Sequence, residues 1–214
     1  MTSKIQKKDT AFLSDFLPDN LTAEERARCA QALGETQVAI GRGLDWAAHF
    51  AALDWPRDTA LICDNNTWKA AAEHISQSLA DAGYRVTLLN LGSSPKPTAE
   101  LAEYIVSHTA SSAALIAVGS GTLNDLTKHA AFLSGKPYAV CGTAASMNGY
   151  LSANAAILAH GHKKSLPSRL PRTALFDLDV LEAAPRRLQA AGLGDSICRS
   201  TAQVDWLISH HLIG

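Results

Sequence analysis

The residues best suited to chemistry cluster where glycine, hydroxyl and amide side chains interrupt apolar runs. "AVGSGTLNDLTKHAAFLSG", residues 117–135, closes an apolar run with Gly119-Ser120-Gly121 and then turns amphipathic. Backbone N–H groups at such a strand-to-helix turn, reinforced by the helix dipole, bind phosphate without charged side chains. Glycine lets the ligand approach because no Cβ stands in the way. Gly119 and Gly121 fit that role, and the hydroxyls of Ser120 and Thr122 can add hydrogen bonds. The alternative is a tight turn capped by Thr122. Neither standard phosphate motif is met: Asn124 occupies the third-glycine position of the dinucleotide fingerprint, and no Lys-Ser or Lys-Thr pair follows.

Other groups lie at the ends of apolar runs. "GTAASMNGYLS", residues 142–152, can follow a ligand closely and donate from Thr143, Ser146 and Ser152. Asp64 ends an earlier run, where its carboxylate could accept from adenosine ribose hydroxyls or close an Asx turn with Asn65 and Asn66. Asp125 and Lys128, spaced i, i+3, are expected to pair on a helix surface. Asp195, in "AGLGDSICRSTAQVDW", sits in a glycine-flanked break with helix following; such a carboxylate is a metal ligand or an N-cap. His160 with His162, and His210 with His211, lack the i, i+4 spacing of a helical metal pair.

These residues need elements to position them. From residue 58, short apolar runs alternate with helical stretches: "TALICD", "YRVTLLNLG", "AALIAVGSG" and "PYAVCGTAAS" read as strands, separated by amphipathic helices. Alternation of this kind means right-handed βαβ units and a parallel sheet, with the ligand site at the carboxyl ends of the strands. The expected fold is α/β: an open, mostly parallel Rossmann-like sheet with helices on both faces, followed by the start of an all-helical second domain. Residues 1–36 read as a leader with a short helix, its capping box at Thr22 and Glu25. Residues 37–180 read as the α/β domain and 181–214 as the opening of the helical one. "AAILAHGHKKSLPSRLPRTALFDLDV" reads as a strand, a basic proline-containing turn and another strand.

Bulk properties bound the function. The chain has 214 residues, 47% apolar and 18% charged, with net charge −1. That balance argues against disorder and against a nucleic-acid binder with a basic face. Cys29, Cys63, Cys141 and Cys198 form no C-x-x-C pair, which fits a reducing cytosol better than a disulfide framework. No apolar run reaches the roughly 18 residues of a membrane span, and no apolar core follows the N-terminal lysines as in a secretory signal. A cytoplasmic location is expected.

Taken together, "VGSGTLNDLTKHAAF", "PYAVCGTAASMNGYLSANAAI", "GHKKSLPSRLPRTALFDLDVLEAAPRRLQAAGLGD" and "STAQVDW" resemble the sn-glycerol-1-phosphate dehydrogenases. These belong with iron-containing alcohol dehydrogenases, glycerol dehydrogenase and dehydroquinate synthase in one superfamily. The resemblance is collinear from about residue 37 to 214. It implies an NAD(P)-dependent, metal-assisted interconversion of dihydroxyacetone phosphate and sn-glycerol 1-phosphate, with zinc or nickel polarising the substrate oxygen. By position, Gly119, Ser120, Gly121, Thr122 and Leu123 would hold the cofactor pyrophosphate, with Asp64 on the adenosine side. Thr143, Ala144, Ala145, Ser146 and Ser152 would line the nicotinamide side, and Asp195 would be the catalytic metal ligand that faces substrate.

Two residues depart from the family pattern. Asn148 stands at a substrate contact where the family normally has aspartate. Arg199 stands where a lysine usually follows the metal ligand, keeping the charge but not the geometry. The family's two histidine ligands lie downstream of residue 214. The implied partner is a small phosphorylated polyol or ketone, with no nucleic acid, and a homo-oligomer is compatible with the resemblance. Asn148 and the ligands beyond the chain favour an alternative, a non-catalytic or degenerate nucleotide-binding relative. Another phosphorylated polyol or ketone as substrate is a third reading.

Overall fold

Each apolar run between Asp58 and Gly142 forms a strand, and the stretches between them form helices, in a computed structural model that describes residues 22–24 and 36–213. The leader and short helix expected over residues 1–36, Cys29 included, lie mostly outside the described residues.

β1 (Gln37–Gly41), β2 (Asp58–Cys63), β3 (Arg85–Asn90), β4 (Ala114–Gly119), β5 (Tyr138–Gly142) and β8 (Thr173–Asp177) form one sheet in the order β1-β8-β5-β4-β2-β3. Every neighbouring pair is parallel. α1 (Trp46–Ala52) follows β1. Between β2 and β3 run α2 (Asn65–Thr67), a π-helical turn (Trp68–Ala72) and α3 (Glu73–Asp81). α4 (Ala99–His108) precedes β4, α5 (Gly121–Ser134) precedes β5, and α6 (Leu178–Glu182) and α7 (Arg186–Ile213) follow β8.

Side chains alternate across a strand, so β4 serves two cores. Ala114, Ile116 and Val118 pack with Trp46, Phe50, Ile75 and Leu79 on one face. Leu115 and Ala117 pack with Ile105, Leu123, Leu126 and Ala130 on the other. Helices therefore cover both faces, which a parallel sheet requires.

The strand order fixes where a ligand can sit. β2 has β3 on one side and β4 on the other, so the chain reverses direction across β2. That reversal opens a crevice at the carboxyl ends of β2 and β4. Asp64 directly follows β2, and Gly119 ends β4.

Two expectations need correction. The basic segment expected as a turn contains a strand: β7 (His162–Pro167) pairs antiparallel with β6 (Asn154–Ala159) in a separate hairpin. His160 and Gly161, with φ of 53° and 77°, make its two-residue turn, which needs left-handed backbone at both positions. α7 runs through Gly192 and Gly194 without a break, so Asp195 lies inside a helix and is not its N-cap. A helical glycine costs about 1 kcal/mol relative to alanine, a cost too small to break a helix of this length. No described helix is long and apolar enough to cross a membrane.

Candidate functional site

α5 begins at Gly121, with Ser120 at its N-cap position, and the Ser120 side chain makes no capping bond. The Ser120 carbonyl accepts from Asn124 N at 2.9 Å. The first-turn N–H groups of Gly121, Thr122 and Leu123 have no intrahelical acceptor. Thr122 is thus the second residue of the helix and not its cap. Asn124, in the third-glycine position, is fully buried.

The two glycines of the turn differ in purpose. A Cβ on Gly119 would come within 2.8 Å of Leu123 Cβ, so this glycine serves the packing of helix on strand. A Cβ on Gly121 would have Met147 Sδ as its nearest neighbour, at an ordinary 3.5 Å. Gly121 is therefore the position where a ligand can approach backbone.

Gly119 is in register with Gly142, so the turns after β4 and β5 lie side by side. Thr143 N donates to Gly119 O at 3.1 Å, tying the loop after β5 to the glycine turn. Within that loop Ser146 N donates to Ala144 O at 2.9 Å, and Tyr150 Oη donates to the same carbonyl at 2.6 Å. Thr143 and Ala144 are buried, whereas Ala145 and Asn148 are exposed.

Lys128 holds the far end of the loop, and it was expected on the surface. Its side chain is only 1% exposed, and Nζ donates to Asp125 Oδ1 at 3.0 Å. Nζ also donates to Gly149 O at 3.1 Å and to Ser152 Oγ at 3.0 Å. The second Asp125 oxygen accepts from Ala156 N, in β6, at 3.1 Å. Burial lowers the Lys128 pKa from the ordinary lysine value, and the Asp125 charge opposes that shift. The Ser152 hydroxyl also lies 3.0 Å from Gly149 O and 2.9 Å from Asn154 O. It is engaged within the loop instead of facing outward as a ligand donor.

At the next strand, Asp64 makes a capping box. Oδ1 accepts from Asn66 N at 2.9 Å and Thr67 N at 2.7 Å, while Asp64 N donates to Thr67 Oγ1 at 2.9 Å. The cap uses one carboxylate oxygen. Asp64→Ala is expected to cost about 1 kcal/mol of stability through the lost cap, measurable by urea unfolding.

Asp195 and Asn148, remote in sequence, meet at this rim. Asn148 N donates to Asp195 Oδ2 at 2.7 Å, and Asn148 Nδ2 donates to Asp195 O at 3.2 Å. No group of three or more His, Cys, Asp or Glu side chains converges on a metal-sized site among the described residues. His160 lies in the hairpin turn and His162 opens β7, while His210 and His211 lie near the end of α7. Lys128 and Gly192 were missed as site residues. Nothing local shows that the loop folds back over Lys128, and Gly192 reads as a helix breaker until its neighbour is seen.

Comparisons with known proteins bear on the family and the fold. The family model described as iron-containing alcohol dehydrogenase matches residues 45–185. The chain is 35% identical over 159 residues to glycerol-1-phosphate dehydrogenase (NAD(P)+) of Bacillus subtilis (strain 168), covering 72% of this chain and 40% of that protein. It is 36% identical over 152 residues to the protein of that name from Pyrococcus abyssi (strain GE5 / Orsay), covering 69% and 42%. The chain thus spans about 40% of the length of these curated relatives. Among solved structures, glycerol dehydrogenase from Schizosaccharomyces pombe superposes with TM-score 0.64 at 23% identity, over 77% of this chain and 42% of that one. An iron-containing alcohol dehydrogenase superposes with TM-score 0.68 at 13% identity, over 75% and 51%. At those identities the superpositions speak to fold, and the family assignment rests on the family model. By the match of more than half its length, the chain belongs to the iron-containing alcohol dehydrogenase family.

Proposed function

We propose that the chain binds a nicotinamide dinucleotide, NAD or NADP, along the carboxyl rim of its sheet. It would be the dinucleotide-binding part of a dehydrogenase that interconverts dihydroxyacetone phosphate and sn-glycerol 1-phosphate. The observation carrying this reading is the start of α5: a helix without a side-chain cap, opening at the switch point on Gly121, where backbone is approachable. Unsatisfied N–H groups and the positive end of a helix dipole favour a pyrophosphate there. The name shared by the relatives from Bacillus and Pyrococcus supports the choice of substrate and cofactor class.

In this reading the N–H groups of Gly121, Thr122 and Leu123, with the Ser120 hydroxyl, hold the pyrophosphate, and Gly119 shapes the turn. The Asp64 oxygen outside the cap accepts from the adenosine ribose. The loop from Thr143 to Ser146, closed by Ser152, supports the nicotinamide side, and Asn148 and Asp195 face substrate. The cofactor supplies or accepts the hydride. Residues 37–180 form the dinucleotide domain, and 181–214 open a helical metal and substrate domain.

A divalent metal, zinc or nickel, belongs to the same proposal. The carboxylate assigned to it is Asp195, with one oxygen engaged by Asn148 N, and no group of three or more His, Cys, Asp or Glu side chains converges there among the described residues. One carboxylate falls short of a metal's coordination sphere, so no step is assigned to the metal.

Titration of the folded protein with NADH and with NADPH, followed by nicotinamide fluorescence, tests the binding claim. Saturable binding of at least one is expected, with ADP competing; absence of binding by both overturns it. Oxidation of NADH by dihydroxyacetone phosphate with added zinc or nickel then tests the reaction. A second reading, dinucleotide binding without turnover, is favoured by Asn148, whose backbone and side-chain donors are both directed to Asp195. Binding with no oxidation under either metal would select it.

A further inference from the structure

Helix α7 is exposed along most of its length, yet one of its residues is buried: Gly192. A Cβ placed there would overlap the Ala145 carbonyl oxygen and lie 2.8 Å from Ala145 C and 3.3 Å from Ser146 Cα. These are backbone atoms, so no flexible side chain can give way. Gly194, two residues on in the same helix, has nothing within 4 Å of the equivalent position. One turn along, Asp195 takes the two hydrogen bonds from Asn148, the same loop's farther residue. The loop is already fixed to β4 through Thr143 and to α5 through Gly149 and Lys128. Its middle, Ala145 to Asn148, is held from the α7 side.

We propose that Gly192 is a positioning residue for the nicotinamide side of the rim. Its missing Cβ lets the α7 backbone seat against Ala145, and the Asn148–Asp195 bonds lock that seat, holding the loop in the shape that receives the nicotinamide half. The role in binding rests on the dinucleotide reading above; the seat itself does not. Cofactor affinity for the adenosine and pyrophosphate half, at Asp64 and residues 119–123, is independent of the seat.

The paired variants Gly192→Ala and Gly194→Ala test this. Both raise helix propensity equally, so they differ only in what the new methyl meets. Gly194→Ala is expected to bind NADH and ADP as the parent does. Gly192→Ala is expected to lose about tenfold in NADH affinity, equivalent to about 1.4 kcal/mol of binding free energy. Its ADP affinity should stay unchanged, because ADP lacks the nicotinamide half. Amide hydrogen exchange of the 143–149 segment should speed up in Gly192→Ala and not in Gly194→Ala, with the 119–130 segment unaffected. Unchanged exchange at 143–149 in Gly192→Ala overturns the seat. Equal loss of NADH and ADP affinity overturns the selective role in favour of general damage. If the parent protein binds neither nucleotide, the dinucleotide reading fails, and with it the nicotinamide role; faster exchange confined to 143–149 would still uphold the seat.

Discussion

Lys128→Met is expected to lower the free energy of unfolding by about 3–5 kcal/mol, the range for removing one partner of a buried ion pair. The ammonium has three partners, Asp125, Gly149 and Ser152, and almost no exposure. Methionine fills much of the same space, so lost volume contributes little. The dominant cost is electrostatic: the mostly buried Asp125 carboxylate keeps only the Ala156 N–H, and a charge left buried without its counterion is expensive. The Gly149 carbonyl loses a donor at the same time. Combining Asp125→Asn with Lys128→Met removes the stranded charge and is expected to recover part of the loss. Urea unfolding of the four members of this double-mutant cycle measures the coupling. Simple additivity of the two single losses would show that the two side chains are not energetically coupled. The loop from Thr143 to Ser152 should also loosen in the single variant, because Lys128 is its anchor on α5.

How much of this was legible in the sequence divides along physical lines. β2, β4 and β5 could be read because parallel strands buried on both faces are near-continuous apolar runs; β3, an edge strand with no buried residue, was read from its short run between two helical stretches. The position of β1 at the far edge, beside β8, could not be read, because periodicity carries no information on strand order. β7 was misread for a related reason: five of the six residues of "HKKSLP" are exposed, so its sequence shows no buried face and its lysines and proline look like a turn. Lysine and proline are also what an unpaired edge strand carries to discourage further pairing. The glycine turn was located correctly, but the division of labour between Gly119 and Gly121 depends on where Leu123 and Met147 point. Lys128 and Gly192 were obscured by the same limit. Each owes its importance to a segment about 20 to 50 residues away in the chain, and contacts at that range are set by tertiary packing, not by local pattern. Asn148 illustrates the reverse. Its departure from aspartate was plain from the resemblance, yet only the structure pairs its amide with the Asp195 carbonyl, which an aspartate could not serve as donor.

Gly121→Asp should separate folding from binding more sharply than any other change at the rim. Gly121 has no left-handed φ and no crowding atom closer than Met147 Sδ at 3.5 Å, so a side chain can be built there. As the first residue of α5, an aspartate places negative charge at the positive end of the helix. Stability is therefore expected to hold or to rise by about 0.3–1 kcal/mol. The same carboxylate occupies the space and the N–H groups that a pyrophosphate would use, and it repels the phosphates. Losing two or so charge-assisted hydrogen bonds, at about 1.5–3 kcal/mol each, predicts a fall in NADH affinity of about 100-fold or more. ADP should be lost in parallel, in contrast to the selective loss expected for Gly192→Ala. Gly119→Asp makes the necessary comparison: its side chain would collide with Leu123, so it should destabilise the fold and lose binding only as a consequence. Thermal unfolding and NADH titration on the two variants distinguish a ligand-facing glycine from a packing glycine. If Gly121→Asp is as stable as expected and still binds NADH like the parent, the N-terminus of α5 does not hold the cofactor. The crevice at the ends of β2 and β4 would then need another source of phosphate donors, and no lysine or arginine lies in the segments 64–67 or 119–123 to supply one.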